Sequence, residues 1–232
     1  MRKSEFFKDL KIEDEDKPRA EKALWAKGIE KHILIKEYLQ AWSSKSLRYS
    51  QVATTYRYDK RIRNVLYKYI SYLEEFYRAK ILDNYFNKES DISWFTPINK
   101  FLNKGLSLNE SLEALEFKTL IDIIKSISKN FNEECVFVAA HKNKNFYALR
   151  TLRNAVMHNK FLILYRGFEV CYVKGVDGNK SASLKANILN LINFLPDAVR
   201  NKCKQDINAC KEERNNHNKT KWDLPRQVII NL

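Results

Sequence analysis

Apolar residues recur at three- and four-residue spacings along most of the chain, the pattern of amphipathic helices. Over residues 20–42, Leu24, Ile29, Ile33, Leu34, Tyr38 and Trp42 predict one helix, closed by the serine-rich stretch 43–46. Residues 59–87 carry the longest stripe, Ile62, Leu66, Tyr69, Ile70, Leu73, Tyr77 and Ile81, with charge on the other face. Residues 91–104, with Pro97, read as a loop that holds at most a short helical turn. Ser107 and Glu110 have capping-box spacing and open a helix expected to break once before Ser128. A further helix is expected over 143–165, a short extended segment over 167–173 and a turn over 175–179. A final helix or pair should run over 184–216, broken or kinked at Pro196. Residues 1–19 alternate in charge around Phe6, Phe7 and Leu10 and end at Pro18, which suits a mobile or loosely docked arm. The expected fold is all-α: a helical bundle over residues 20–232 as a single domain, with one small β element.

Composition agrees with helices. A hydrophobic fraction of 44% supports a real core, and 5 Gly and 4 Pro are too few for the turns of an all-β chain of 232 residues. Charge adds a partner. The chain carries a formal net charge of +14. Residues 1–19 hold six basic and six acidic side chains, so the whole excess lies in residues 20–232. A body this basic calls for a polyanion, with nucleic acid ahead of an anionic membrane surface. Apolar runs such as residues 161–165 are far too short to span a bilayer. The first residues lack the apolar core of a signal peptide, so the expected location is cytoplasmic, with the four cysteines as reduced thiols. Cys203, Cys210 and His217 do not have zinc-ligand spacing, and the cysteines are expected to be buried or half-buried small apolar side chains.

Residues 135–168 contain Lys142, Lys144, Arg150, Arg153, Lys160 and Arg166 and no Asp or Glu. An acid-free stretch in a chain that is 30% charged suits a surface that faces phosphates. Within it lie Arg153, Asn154 and His158. RNA carries its own nucleophile, the 2′-OH, so cleavage needs proton transfer and stabilisation of charge on phosphorus. Histidine titrates near neutrality and moves protons. Arginine stays cationic and grips phosphate through two nitrogens. Neither task needs a metal or cofactor.

Residues 149–159, Leu-Arg-Thr-Leu-Arg-Asn-Ala-Val-Met-His-Asn, resemble the signature of HEPN domains: Arg, often a polar residue such as Asn, then His. Upstream, residues 56–66 and then Leu73, Glu74, Glu75, Phe76, Tyr77 and Arg78 resemble Abi-like (AbiD/AbiF-type) abortive-infection proteins. Those have an aromatic-x-aromatic-Asp segment, an Arg, and a helix with Glu-x-x-x-Arg. The resemblance covers roughly residues 45–165. It implies a helical bundle that works in pairs and a metal-independent endoribonuclease leaving a 2′,3′-cyclic phosphate and a 5′-OH. Its site would comprise Arg153, His158, Asn154 and Glu74, with Glu74 as the carboxylate that holds Arg153. Read by itself, Glu74 with Arg78 is equally a surface ion pair one helical turn apart. The resemblance further implies a toxin of anti-phage defence, in some members restrained by a structured noncoding RNA as in a toxin–antitoxin pair.

RNA contacts are expected from Arg150, Arg78, Lys142, Lys144 and Lys160, and from a second basic stretch with interleaved rings: Tyr56, Arg57, Tyr58, Lys60, Arg61 and Arg63. Residues 200–226, with Trp222, suit a second RNA-contacting arm or a solvated helix end. On a regular helix Asn154 and His158 share a face, while Arg153 lies ~140° around from His158. One straight helix therefore aims them apart. Either it distorts there, or two chains form a homodimer with a composite cleft. The alternative function is a non-catalytic RNA-binding module on the same surface. A DNA-binding regulator lacks helix-turn-helix spacing, and a nucleotide transferase lacks a glycine-rich phosphate loop.

Overall fold

The computed structural model of the protein describes residues 3–42, 46–87, 96–127, 141–174, 179–213 and 221–232. Ten α-helices lie among them: α1 (Lys3–Phe7), α2 (Lys17–Lys27), α3 (Ile29–Ala41), α4 (Tyr49–Asn87), α5 (Thr96–Leu102), α6 (Leu108–Glu113), α7 (Phe117–Ile127), α8 (Lys142–Met157), α9 (Leu184–Phe194) and α10 (Asp197–Asn208). No strand occurs among the described residues, so the fold is all-α. The extended segment expected over 167–173 reduces to one isolated bridge, Cys171 to Ser181. The turn expected at 175–179 lies mostly outside the described residues. Among the described residues, no helix is long and apolar enough to cross a membrane.

The chain forms two compact units where one domain was expected. The first comprises residues 1–65, 159–166 and 205–232; the second comprises 66–158 and 167–204. Helices α4 and α10 each contribute residues to both.

Helix boundaries follow local chemistry. The helix expected over 20–42 breaks at Gly28, whose φ of 79° is readily open only to glycine. The break resets the helical phase. The buried face of α3 is His32, Ile35, Lys36 and Leu39, while Leu34 and Trp42, expected in the apolar stripe, stand exposed. Helix α4 starts ten residues before its apolar stripe suggests, and every residue of that stripe is buried. Ser107 and Glu110 make the expected capping box, and the expected break separates α6 from α7. Pro196 sits in the break between α9 and α10, as expected. Helix α8 stops at Met157, eight residues short of its expected end. Asn159, just beyond His158, adopts a left-handed φ of 53° and ends the helix in place of glycine.

In the first unit the N-terminal residues are docked, contrary to the loose arm expected. Phe6 and Leu10 are buried, Lys11 bridges Arg48, and the buried Lys36 ammonium donates to the Phe6 carbonyl (3.1 Å) and to Asp9 (3.3 Å). The C-terminal residues are held too. Tyr58 accepts at its hydroxyl from the Ile230 N–H (2.9 Å), and the Asn208 amide brackets Leu232 through its N–H and carbonyl.

Asp59 is the polar anchor of this unit. Its carboxylate is fully buried and accepts from the N–H groups of Leu162 (2.6 Å) and Ile163 (3.1 Å) and from Arg63 Nε (2.9 Å). Burial pushes the Asp59 carboxyl from 3.8 up to about 6, against the lowering effect of Arg63 and the two N–H donors. The folded chain thus holds this proton more tightly than the unfolded chain. Stability linked to it is full below 3.8 and declines as pH rises through about 6. Urea unfolding across that window should show the decline in the wild type and a flatter profile in Asp59→Asn. Identical pH profiles for the two proteins would contradict this assignment.

Candidate functional site

Helix α8 presents three faces in the second unit. Phe146, Ala148, Leu149, Leu152, Ala155 and Val156 are buried and fix the helix in the core. Asn145, also buried, clamps residue 172 as a strand partner would. Its amide donates to the Tyr172 carbonyl (3.0 Å) and accepts from the Tyr172 N–H (2.8 Å). Solvent sees a stripe of Asn143, Lys144, Tyr147, Asn154 and His158, with Arg150 and Thr151 half-buried along it. This is the i, i+4, i+7, i+11 row of a helix, and it holds no acid.

Arg153 lies on the flank between these faces. Its Nε donates to Glu74 Oε1 on α4 at 3.1 Å, and its guanidinium sits 5.3 Å from the Phe117 ring at the start of α7. The other oxygen of Glu74 lies 3.6 Å from Arg78 Nη2, and Arg78 Nε donates to the Leu112 carbonyl of α6 at 3.3 Å. The side chains of Glu74, Arg78 and Arg153 are 14%, 24% and 28% exposed. Two guanidinium groups share one carboxylate, so this cluster keeps one positive charge in excess at a half-screened place. The bond to Glu74 uses Arg153 Nε and leaves its two terminal nitrogens for a further acceptor, the geometry in which arginine grips phosphate.

His158 is exposed and follows the last helical residue of α8. Its N–H still donates to the Asn154 carbonyl at 2.9 Å, so the imidazole continues the exposed row. That backbone bond keeps residue 158 in the phase of the helix, ~140° around from Arg153.

The second basic stretch belongs to the first unit, and most of it is used within the fold. Tyr58 and Arg63 are buried, which corrects their expected RNA-binding role: the ring has no free face and the guanidinium is paired with Asp59. Arg57 and Arg61 pack on the Trp222 ring at 5.4 and 4.2 Å. Arg57 donates to Thr54 and to the Lys221 carbonyl, and Arg61 donates to the carbonyls of Cys210 and Glu212. Burial holds Arg57 below the usual guanidinium value, with Arg61 beside it adding to the effect. Tyr56 stacks on the buried His32 at 5.0 Å, and Lys27 lies over it. Lys60 and Lys160 are exposed. Residues 221–232 form a packed strap, not a free arm: Trp222 donates to the Lys211 carbonyl, and Asp223 pairs with Arg48 at 2.8 Å. Burial alone would raise the Asp223 carboxyl; hydrogen bonds from Arg48 and Ser50 outweigh it and hold the group below its ordinary value. Cys203 and Cys210 are buried as expected, while His217 lies outside the described residues.

Sequence reasoning missed Tyr147, Tyr172 and Lys180, which line a groove beside Lys144. Tyr147 could have been found. It lies eleven residues before His158, on the same helical row. No protein-family model, curated protein or solved structure matches this chain.

The brace should be measurable by itself. A double-mutant cycle of Glu74→Gln and Arg153→Gln in urea unfolding should give a coupling of about 1–2 kcal/mol, as befits a half-screened charged hydrogen bond. Strictly additive effects would remove the brace from the account.

Proposed function

We propose that this chain is a HEPN-type, metal-independent endoribonuclease that acts as a homodimer. One observation carries the reading. Glu74 fixes Arg153 beside Arg78 with one cation in excess, on the same helix that offers His158 to solvent. Arg153 would bind the scissile phosphate and stabilise charge that builds on its oxygens. An imidazole would take the 2′-OH proton as that oxygen attacks phosphorus. The bond from phosphorus to the 5′-oxygen then breaks, and the imidazolium formed in the first step supplies the proton that makes the 5′-OH leaving group.

Arg153 and His158 leave α8 in different directions, which favours pairing Arg153 of one copy with His158 of another. Asn154, exposed one turn before His158, would orient that imidazole or the RNA. The net charge of +14 exceeds what one scissile phosphate needs, which favours extended RNA and a structured RNA partner. By its sequence resemblance the biological setting is abortive-infection defence, with the nuclease as the toxin.

Cleavage of defined RNAs in the presence of a chelator tests this. Arg153→Ala and His158→Ala should each lower the rate by about 10²–10⁴-fold, with folding retained. Mixing the two inactive variants should restore part of the activity, because some mixed dimers then hold one intact composite site. Cleavage that survives both substitutions would refute the site. RNA binding without cleavage by the wild type would leave only the binding module.

A further inference from the structure

The exposed row of α8 does not end at the proposed cleavage site. Its first half borders a half-open groove of about 450 Å³, lined by Lys144, Tyr147, Glu169, Val170, Tyr172 and Lys180. Two aromatic rings stand in it. Tyr147 is 47% exposed, with the Arg150 guanidinium lying over one face of its ring, 4.8 Å from the centre. Tyr172 is stacked on His141, and the Lys144 ammonium lies 3.3 Å from its hydroxyl. The floor is built. Asn145 clamps Tyr172 from α8, Asn190 of α9 donates to the Asn145 carbonyl at 2.8 Å, and Asn187 donates to the Glu169 carbonyl at 3.1 Å. The backbone that carries Tyr172 and Glu169 is therefore fixed before any ligand arrives.

We propose that this groove is a stacking subsite for the unpaired bases of single-stranded RNA, with Tyr147 as the platform. The proposal rests on the nuclease reading for the identity of the ligand. A half-exposed ring offers a flat face to any base. Lys144 and Lys180, both exposed, supply cations for the flanking phosphates. Glu169 is the acid in the lining. It disfavours a phosphate within the groove, so phosphates ride the lysine rim and the carboxylate faces base amino groups or a 2′-OH. Duplex RNA hides its base faces and does not fit. From Tyr147 to His158 is eleven residues of one helix, about 16 Å, a span of a few nucleotides. The groove thus selects unpaired RNA and sets which linkage reaches His158.

The test uses the full chain carrying His158→Ala, so that RNA is not cut during measurement. Fluorescence anisotropy compares a short unpaired RNA with an abasic phosphodiester of the same length. Adding Tyr147→Leu should weaken RNA binding about 5- to 150-fold and leave abasic binding unchanged, while Tyr147→Phe retains both. Replacing Lys144 and Lys180 by Gln should weaken both ligands and reduce the salt dependence by about 1.4 units of slope. If the RNA binds but Tyr147→Leu binds it equally well, the groove is overturned and the RNA reading stands. If no RNA binds at low salt, the RNA reading falls and the groove with it. If Tyr147→Leu instead dissociates the dimer and leaves RNA affinity per chain intact, the face is a protein contact and the proposal is wrong.

Discussion

Glu74 is a largely screened carboxylate set between two arginines, and the second unit is arranged around it. Through Arg153 it ties α4 to α8, and through Arg78 it ties α4 to the end of α6, while the Arg153 guanidinium rests on Phe117 of α7. Each partner needs the others. Without the carboxylate, two half-screened cations repel each other; without Arg153, Glu74 keeps one long contact. Such a pair contributes little net stability compared with an apolar core, but breaking one side is costly. Its value lies in position. A free arginine samples many rotamers, whereas this one is held at Nε and by an aromatic face.

The division of labour along α8 turns that position into a surface. The buried face sets the rotation of the helix, the flank delivers Arg153 to Glu74, and the remaining row is left to solvent with Lys144, Tyr147, Asn154 and His158. An acid anywhere on that row would repel phosphate, and none is present. The polar clamp from Asn145 to Tyr172 extends the row sideways into a groove without a β-sheet.

Much of this could be read from the sequence, and the failures have physical causes. The stripe from Ile62 to Ile81 was legible because seven apolar residues keep helical phase without interruption, and all are buried. The capping box at Ser107 was legible because it is local chemistry. Helix α3 was misread because Gly28 resets the phase between two helices that look continuous in composition. The end of α8 was missed because Asn159, unlike glycine, does not announce a left-handed turn. The basic stretch from Tyr56 to Arg63 looked like an RNA surface because charge and aromatic content do not show which face a residue occupies. Asp59, Thr54 and Trp222 draw most of it into the fold, and of these Trp222 is more than 150 residues away in sequence. The Glu74–Arg153 contact was anticipated only through family resemblance, because residues 79 apart leave no local signal.

Under the proposed function the 2′-OH of RNA would be the nucleophile, and Arg153 and His158 would serve it without a metal. The most direct measurement is the structure of the RNA ends after cleavage in excess chelator, read by mass spectrometry of a defined oligonucleotide. A 2′,3′-cyclic phosphate and a 5′-OH are expected from the wild type, with neither formed by His158→Ala. Ends carrying a 5′-phosphate and a 3′-OH, formed only when a divalent cation is restored, would contradict the account.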